Sequence, residues 1–250
     1  IKKILKYYGE ILMNNIYYLK PNFNDGRIFI SPILGCNGCC KYCYLEMHEY
    51  NVAHENLATF NDVNKFISNC ESFVPGRNGT ILSIGAWGDI FPTNELLKSK
   101  SINFICKILS IGNPVQIMSK FTIDDSYIKK ICNSQVYKNQ LLYSTTITTI
   151  NNWKVIEPNT ADPINRLKTC KKFSSYGVHT NVLLKPFIYG ITDIEFDIIT
   201  DLLLKYSIDY CVLGIFYWDK NIEKKMNSIS IQGLKHIFDN NTCFEHLDCN

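Results

Sequence analysis

Four cysteines fall within eight positions of the stretch GCNGCCKYCYL: Cys36, Cys39, Cys40 and Cys43. Thiols grouped this tightly in one loop point to metal chemistry, and three arrangements compete. A structural zinc site takes four ligands, commonly as two separated pairs, and no second pair with metal spacing follows. A ferredoxin-type cluster asks for a C-x2-C-x2-C register with a distal partner, which the run lacks. In the third arrangement Cys36, Cys40 and Cys43, spaced C-x3-C-x2-C, give three ligands to a four-iron cluster. One iron then has no protein thiolate and is open to a substrate or cofactor, as the free position of a catalytic zinc is. Adjacent residues on a tight loop rarely face the same metal, so Cys39 is read as a lining thiol and as a candidate hydrogen donor.

The elements that position this loop are legible around it. Six strand-like runs, at 27–33, 80–86, 114–119, 141–147, 179–185 and 209–216, alternate with helix-like runs at the 30- to 40-residue spacing of βα units. Several are continuously rich in Ile, Leu and Val, as parallel strands buried on both faces must be. Between them, Val63, Phe66, Ile67 and Cys70 share one helical face. Asp162 before Pro163 reads as a helix N-cap leading into Ile164, Leu167 and Phe173, and Asp193 as the cap of a helix bearing Phe196, Ile199 and Leu203. Right-handed crossovers wind such repeats one way, which predicts an α/β fold, a partial (β/α)6 TIM-like barrel. The expected organisation is a helical N-terminal extension over 1–26, the barrel over 27–216, and a C-terminal extension over 217–250 that shapes the substrate side. A barrel keeps its chemistry in the loops that follow strands, and the cysteine loop follows the first one.

C-x3-C-x2-C with an aromatic residue, Tyr42, before its last cysteine resembles the signature of the radical S-adenosylmethionine (SAM) enzymes. From Phe29 to Gly190 the order GCNGCCKYCYL, SIGAWGDIFP, QIMSKF, LLYSTTI and EPNTADPINRL is similar to the spore photoproduct lyase branch of that family. The resemblance implies a barrel of the radical SAM type whose Cys36, Cys40 and Cys43 hold a [4Fe-4S] cluster. Its open iron chelates SAM, and Tyr42 packs beside the adenine. An electron from the cluster then cleaves SAM to methionine and a 5′-deoxyadenosyl radical that removes a hydrogen atom from substrate. Tyr44 matches a tyrosine implicated in hydrogen transfer. Gly88, Lys120 and Ser144 fall where SAM contacts are expected. Gly85 lets the backbone approach closely, and Asp89 offers a carboxylate to the methionine ammonium or the ribose. Glu157 and Arg166 either bind SAM or pair with each other as a brace. One departure separates the chain from the lyase: where the lyase keeps a cysteine that returns a hydrogen atom, this sequence has Ala86.

Composition narrows the partners. The 250 residues are 46% hydrophobic and carry a formal net charge of +3, too mild to form the basic stripe of a nucleic-acid binder. With Ala86 lacking a thiol, this favours a small-molecule or peptide substrate over duplex DNA. No stretch reaches the length of a membrane span, and the run IKKILKYYGEILMNN lacks the features of a signal peptide. The expected setting is therefore cytoplasmic, with an electron donor such as flavodoxin or ferredoxin. There, scattered thiols stay reduced, and of the eleven cysteines Cys70, Cys106, Cys132, Cys170 and Cys211 read as core. The tail, with Cys243, His246 and Cys249, matches no standard auxiliary metal domain. The rival from another class is a non-catalytic module in which the cysteine loop holds zinc or an iron-sulfur centre.

Overall fold

In the computed structural model residues 17–19, 26–56, 59–229, 231 and 237–243 are described. Six parallel strands form the sheet: β2 (Arg27–Ile30), β5 (Ile81–Ile84), β6 (Val115–Met118), β7 (Leu141–Thr146), β8 (His179–Phe187) and β9 (Tyr210–Ile215), in that order, with β1 (Tyr17–Leu19) antiparallel on the outer side of β2. Two short pairs stand apart, β3 (Ile33–Leu34) with β4 (His54–Glu55) and β10 (Tyr217–Trp218) with β11 (Thr242–Cys243). All six expected strands are present, and in sequence order, as right-handed βα winding dictates. The helical reading of 1–26 falls outside the described residues, except that Tyr17–Leu19 is a strand.

The helices are α1 (Phe60–Asn69), α2 (Glu95–Leu109), α3 (Asp125–Asn133), a short α4 (Trp153–Ile156), α5 (Pro163–Ser175), α6 (Phe196–Lys205) and α7 (Lys220–Asn227). Their starts follow from side-chain chemistry. Thr59 and Asp62 make a reciprocal capping box on α1, and Asp162 accepts from the Ile164 amide with Pro163 in the first turn of α5. Asp193 behaves differently from its expected role. The N-cap of α6 is Glu195, and the Asp193 carboxylate instead accepts from the Gly190 amide, closing the turn after β8.

The convex face of the sheet carries Ile28, Ile30, Leu82, Ile84, Val115, Ile117, Leu141 and Tyr143, all buried, packed under α1, α2, α3 and α5. Tyr143 stacks on Phe173 of α5 with ring centroids 4.2 Å apart. Cys70, Cys132 and Cys170 are buried here as expected, and Cys106 is half-buried. Cys211 is not core but exposed on β9. Within the described residues β9 has a neighbouring strand on one side only, so its apolar side chains lack the cover that a central strand receives.

Candidate functional site

The cysteine loop leaves the carboxyl end of β2 and is fixed from three directions by its own backbone. Gly35 donates to the Trp87 carbonyl (2.8 Å), Cys36 to Tyr50 (3.1 Å), and Lys41 to Ile156 (2.8 Å), while the Asn159 amide donates to Gly38 (3.3 Å). Gly35 and Gly88 form an isolated parallel bridge. A Cβ at Gly88 would stand 2.5 Å from the Gly35 carbonyl oxygen. The space opened by Gly88 is thus taken up by the cysteine loop. Gly85, with φ +113°, likewise lies against the Met118 carbonyl, where a Cβ would come within 2.8 Å.

Two of the thiols flank Gly38, and the Cys43 amide donates to the Cys40 carbonyl at 3.0 Å, which keeps the third cysteine in the same turn. A Cβ on Gly38 would lie 3.2 Å from Cys36 Sγ, 3.7 Å from Cys40 Sγ and 3.0 Å from the Thr160 methyl. A side chain there would crowd both sulfurs and the Thr160 methyl. Cys40 is buried, Cys36 and Cys43 are half-buried, and Cys39 is exposed with a left-handed φ of +51° that turns it away from the others. Burial, then the nearby Asp89, pushes the Cys36 thiol up to about 12. Burial does the same for Cys40, also to about 12, against the opposing pull of Lys120. Metal ligation must therefore displace protons from these groups. Among the described residues no three His, Cys, Asp or Glu side chains converge tightly enough to hold a single metal ion. Ligands of a cluster bind separate irons and stand further apart. The glycine cradle and the all-thiol donor set fit a [4Fe-4S] cluster held by Cys36, Cys40 and Cys43.

Behind the thiols lies a buried charged network. The Arg166 guanidinium pairs with Glu157 at 2.6 Å, with both side chains fully buried. The Tyr42 hydroxyl donates to the other Glu157 oxygen. Lys120 Nζ is 3.7 Å from Glu157, 3.5 Å from Cys40 Sγ and 4.8 Å from the centre of the Tyr42 ring. Burial alone would raise the Glu157 pKa, but Arg166 and Lys120 overcome it and hold the carboxyl below its usual range. Burial likewise opposes the charge on Lys120, and Cys40, Tyr42 and Glu157 outweigh it, raising its pKa well above the ordinary lysine value. Burial, then Glu157, keeps the Tyr42 phenol neutral. The mutual pairing of Glu157 and Arg166 is present, as one of their two expected roles requires. Arg166 completes it by donating to the carbonyls of Ala161 (2.7 Å) and Thr146 (2.8 Å), which ties α5 to the ends of β7 and the following loop.

Asp89 also faces protein groups. Its carboxylate accepts from the Ser119 hydroxyl (2.5 Å), the Lys120 amide (2.8 Å) and the Phe91 amide (3.0 Å), clamping the loop after β5 to the end of β6. Ser144, fully buried, accepts from Gln116 Nε2 at 2.8 Å. Tyr44 lies at the rim, 40% exposed, its hydroxyl donating to the Ala86 carbonyl at 2.9 Å. Its ring meets Trp87 edge-on at 6.1 Å. Two supports carry no sequence signal. Lys225 of α7 donates to the Cys43 carbonyl and to Glu46, both at 2.9 Å, so the C-terminal segment braces the cysteine loop. Glu195 accepts from Thr149 (2.8 Å) and from the amides of Ile150 (2.5 Å) and Asn151 (3.1 Å), which fixes the loop leading to Glu157.

No family model matches the chain, and no curated protein does. Solved structures do. A spore photoproduct lyase variant with bound AdoMet and dinucleoside spore photoproduct superposes with a TM-score of 0.60 at 16% identity over 82% of this chain. Another variant of that lyase gives 0.62 at 14% identity over 96% of this chain. SuiB of Streptococcus suis bound to S-adenosylmethionine gives 0.54 at 14% identity over 90% of this chain. The chain spans 62% of the length of the first of these and 47% of the last. What these proteins share with the chain is architecture: it has the partial α/β barrel fold of the radical SAM type.

Proposed function

We propose that the chain is a radical SAM enzyme acting on a small-molecule or peptide substrate. The observation that carries this reading is the C-x3-C-x2-C loop after the first parallel strand, in which Cys36 and Cys40 face Gly38 and the Cys43 amide is bonded to the Cys40 carbonyl, in a barrel whose structural relatives bind SAM. When bound, the cluster would supply the single electron for reductive cleavage of SAM, and with it the radical chemistry that removes hydrogen from substrate.

The chain's own residues do the rest. Cys36, Cys40 and Cys43 would hold the cluster with three thiolates. The Lys120 ammonium, beside Cys40, is placed to favour a thiolate there and to meet the carboxylate of SAM. Tyr42 forms an apolar wall under Lys120, and Trp87 and Tyr44 line the mouth and exclude water. Gly85, Gly88 and Asp89 shape the facing loop, Glu157 and Arg166 hold its counterpart rigid, and Ser144 supplies a polar group within the barrel. Tyr44 and Cys39, both exposed near that mouth, are the candidates for hydrogen return. The C-terminal segment, anchored through Lys225, shapes the substrate side, and flavodoxin or ferredoxin supplies the electron.

Likeness to a lyase crystallised with a dinucleoside photoproduct supports a second reading, repair of a nucleic-acid lesion. Ala86 offers no thiol for that route, which ranks it behind the first. Anaerobic reconstitution tests the main proposal. Brown protein with about four irons per chain, whose reduced paramagnetic spectrum changes when SAM is added, supports it. Colourless protein with stoichiometric zinc overturns it in favour of a binding module, and a spectrum indifferent to SAM overturns it in favour of plain electron transfer.

A further inference from the structure

The two faces of the sheet differ in kind. Against the apolar convex face, a row of polar side chains crosses the concave face of five parallel strands: Arg27 of β2, Ser83 of β5, Gln116 of β6, Ser144 of β7 and Asn181 of β8. The first four are linked to one another. Arg27 and Ser83 donate to Gln116 Oε1, and Gln116 donates to Ser144. Asn181, paired in register with Ser144, ends the row. It is 5% exposed, and its Oδ1 has no hydrogen-bond partner among the described residues. A buried acceptor left without a donor costs free energy that a ligand donor would recover.

Four residues further along β8, on the same face and toward the mouth, stands Lys185. Its side chain is exposed and makes no hydrogen bond or ion pair among the described residues. Its stem crosses the neighbouring strand directly over Gly214, where a Cβ would come within 2.4 Å of Lys185 Cγ and 2.7 Å of Cδ. The absence of a side chain at 214 is what lets the lysine lie along the concave face. The two backbone positions are about 13 Å apart along the strand.

We infer that Asn181 and Lys185 form a two-point substrate subsite inside the barrel, taking an elongated molecule with a hydrogen-bond donor at one end and a carboxylate or phosphate at the other. This rests on the enzyme reading and names the substrate class of that site. The geometry binds the donor end at the polar floor and the anionic end at the carboxyl ends of the strands, the end at which the cysteine loop also lies. The discrimination is by charge at Lys185 and by length between the two points.

Linear ω-amino carboxylates of increasing chain length serve as rulers, titrated calorimetrically into the full chain. Affinity is expected to peak at one length, where the two-ended compound binds about tenfold tighter than the carboxylate lacking its amine. Lys185→Gln, at an exposed position, should abolish binding of both, and Asn181→Ala should reduce the two-ended compound to the level of the carboxylate. Gly214→Val should weaken binding by displacing the Lys185 stem. No length preference, or unchanged binding in Lys185→Gln, overturns the inference. So does a loss of SAM affinity in Lys185→Gln equal to the loss for the rulers, because the anion bound there would then be the carboxylate of SAM. The rulers need no iron. Selective ruler binding by protein that takes up no cluster sinks the enzyme reading and supports the subsite, whereas cluster and SAM binding without ruler binding sinks the subsite alone.

Discussion

The two sides of the barrel are held in different ways. Around the cysteine loop, backbone hydrogen bonds, the Gly35–Gly88 bridge and the Glu157 network join four separate loops into one body. Across the sheet, β9 and α6 expose large apolar side chains, among them Leu213 at 61%, Ile215 at 59% and Leu204 at 75%. Both regions come from the same repeating unit and similarly apolar sequence. The difference shows that apolar content sets where strands form, while the number of neighbours sets what is buried. It also concentrates hydrogen bonding around the loop that carries Cys36, Cys40 and Cys43.

Substitutions that remove a thiol test this contrast most severely. Cys36→Ala, Cys40→Ala and Cys43→Ala should each abolish assembly of an intact cluster and SAM cleavage, measured by iron content and 5′-deoxyadenosine release. Cys170→Ala, buried far back in the helical layer, should leave both largely intact. Retained activity in any of the first three contradicts the ligand assignment. Next comes the buried ion pair. Arg166→Ala leaves the Glu157 carboxylate uncompensated and should cost about 3–5 kcal/mol in denaturant unfolding. A loss no larger than that of a surface substitution would mean the network is not what holds the loops.

Acid offers a milder way to weaken the same body. Arg166 and Lys120 hold the folded pKa of Glu157 below its ordinary value despite burial. Its contribution is therefore fully present above the unfolded carboxyl pKa and drains away as pH falls through the folded one. Thermal melts of the wild type should lose stability over that acidic window, and Glu157→Gln should flatten this part of the profile. Gly88→Ala, which sets a methyl 2.5 Å from the Gly35 carbonyl oxygen, should cost about 1–3 kcal/mol and change the spectrum of the reconstituted cluster by shifting its loop. At the weak end, Leu213→Ser on β9 should change stability by no more than about 0.5 kcal/mol. A larger loss would show that β9 is covered in solution.

How much was legible depended on whether the signal was local. The six apolar runs and the Asp162-Pro163 helix start are each contained within a few residues, and each has the expected counterpart in the structure; the C-x3-C-x2-C spacing is equally local. Asp89 was legible as a polar group at a strand end, but not as a clamp, because Ser119 and the Lys120 amide lie some thirty residues away. Lys225 gave no signal at all: its partner, the Cys43 carbonyl, is 182 positions away. Cys211 and its strand read as core because an apolar run looks the same at the centre of a sheet and at its edge.

The sequence by itself determined which thiols share one loop, that strands and helices alternate, and the order in which the units wind, since spacing, side-chain branching and chain chirality are local properties. Tertiary structure alone decided that Glu157 and Arg166 neutralise each other, that Gly88 accommodates Gly35, and that the Lys185 stem lies over Gly214. Those outcomes depend on which distant atoms arrive within hydrogen-bonding distance or van der Waals contact, and the sheet register fixes that only once the whole barrel has formed.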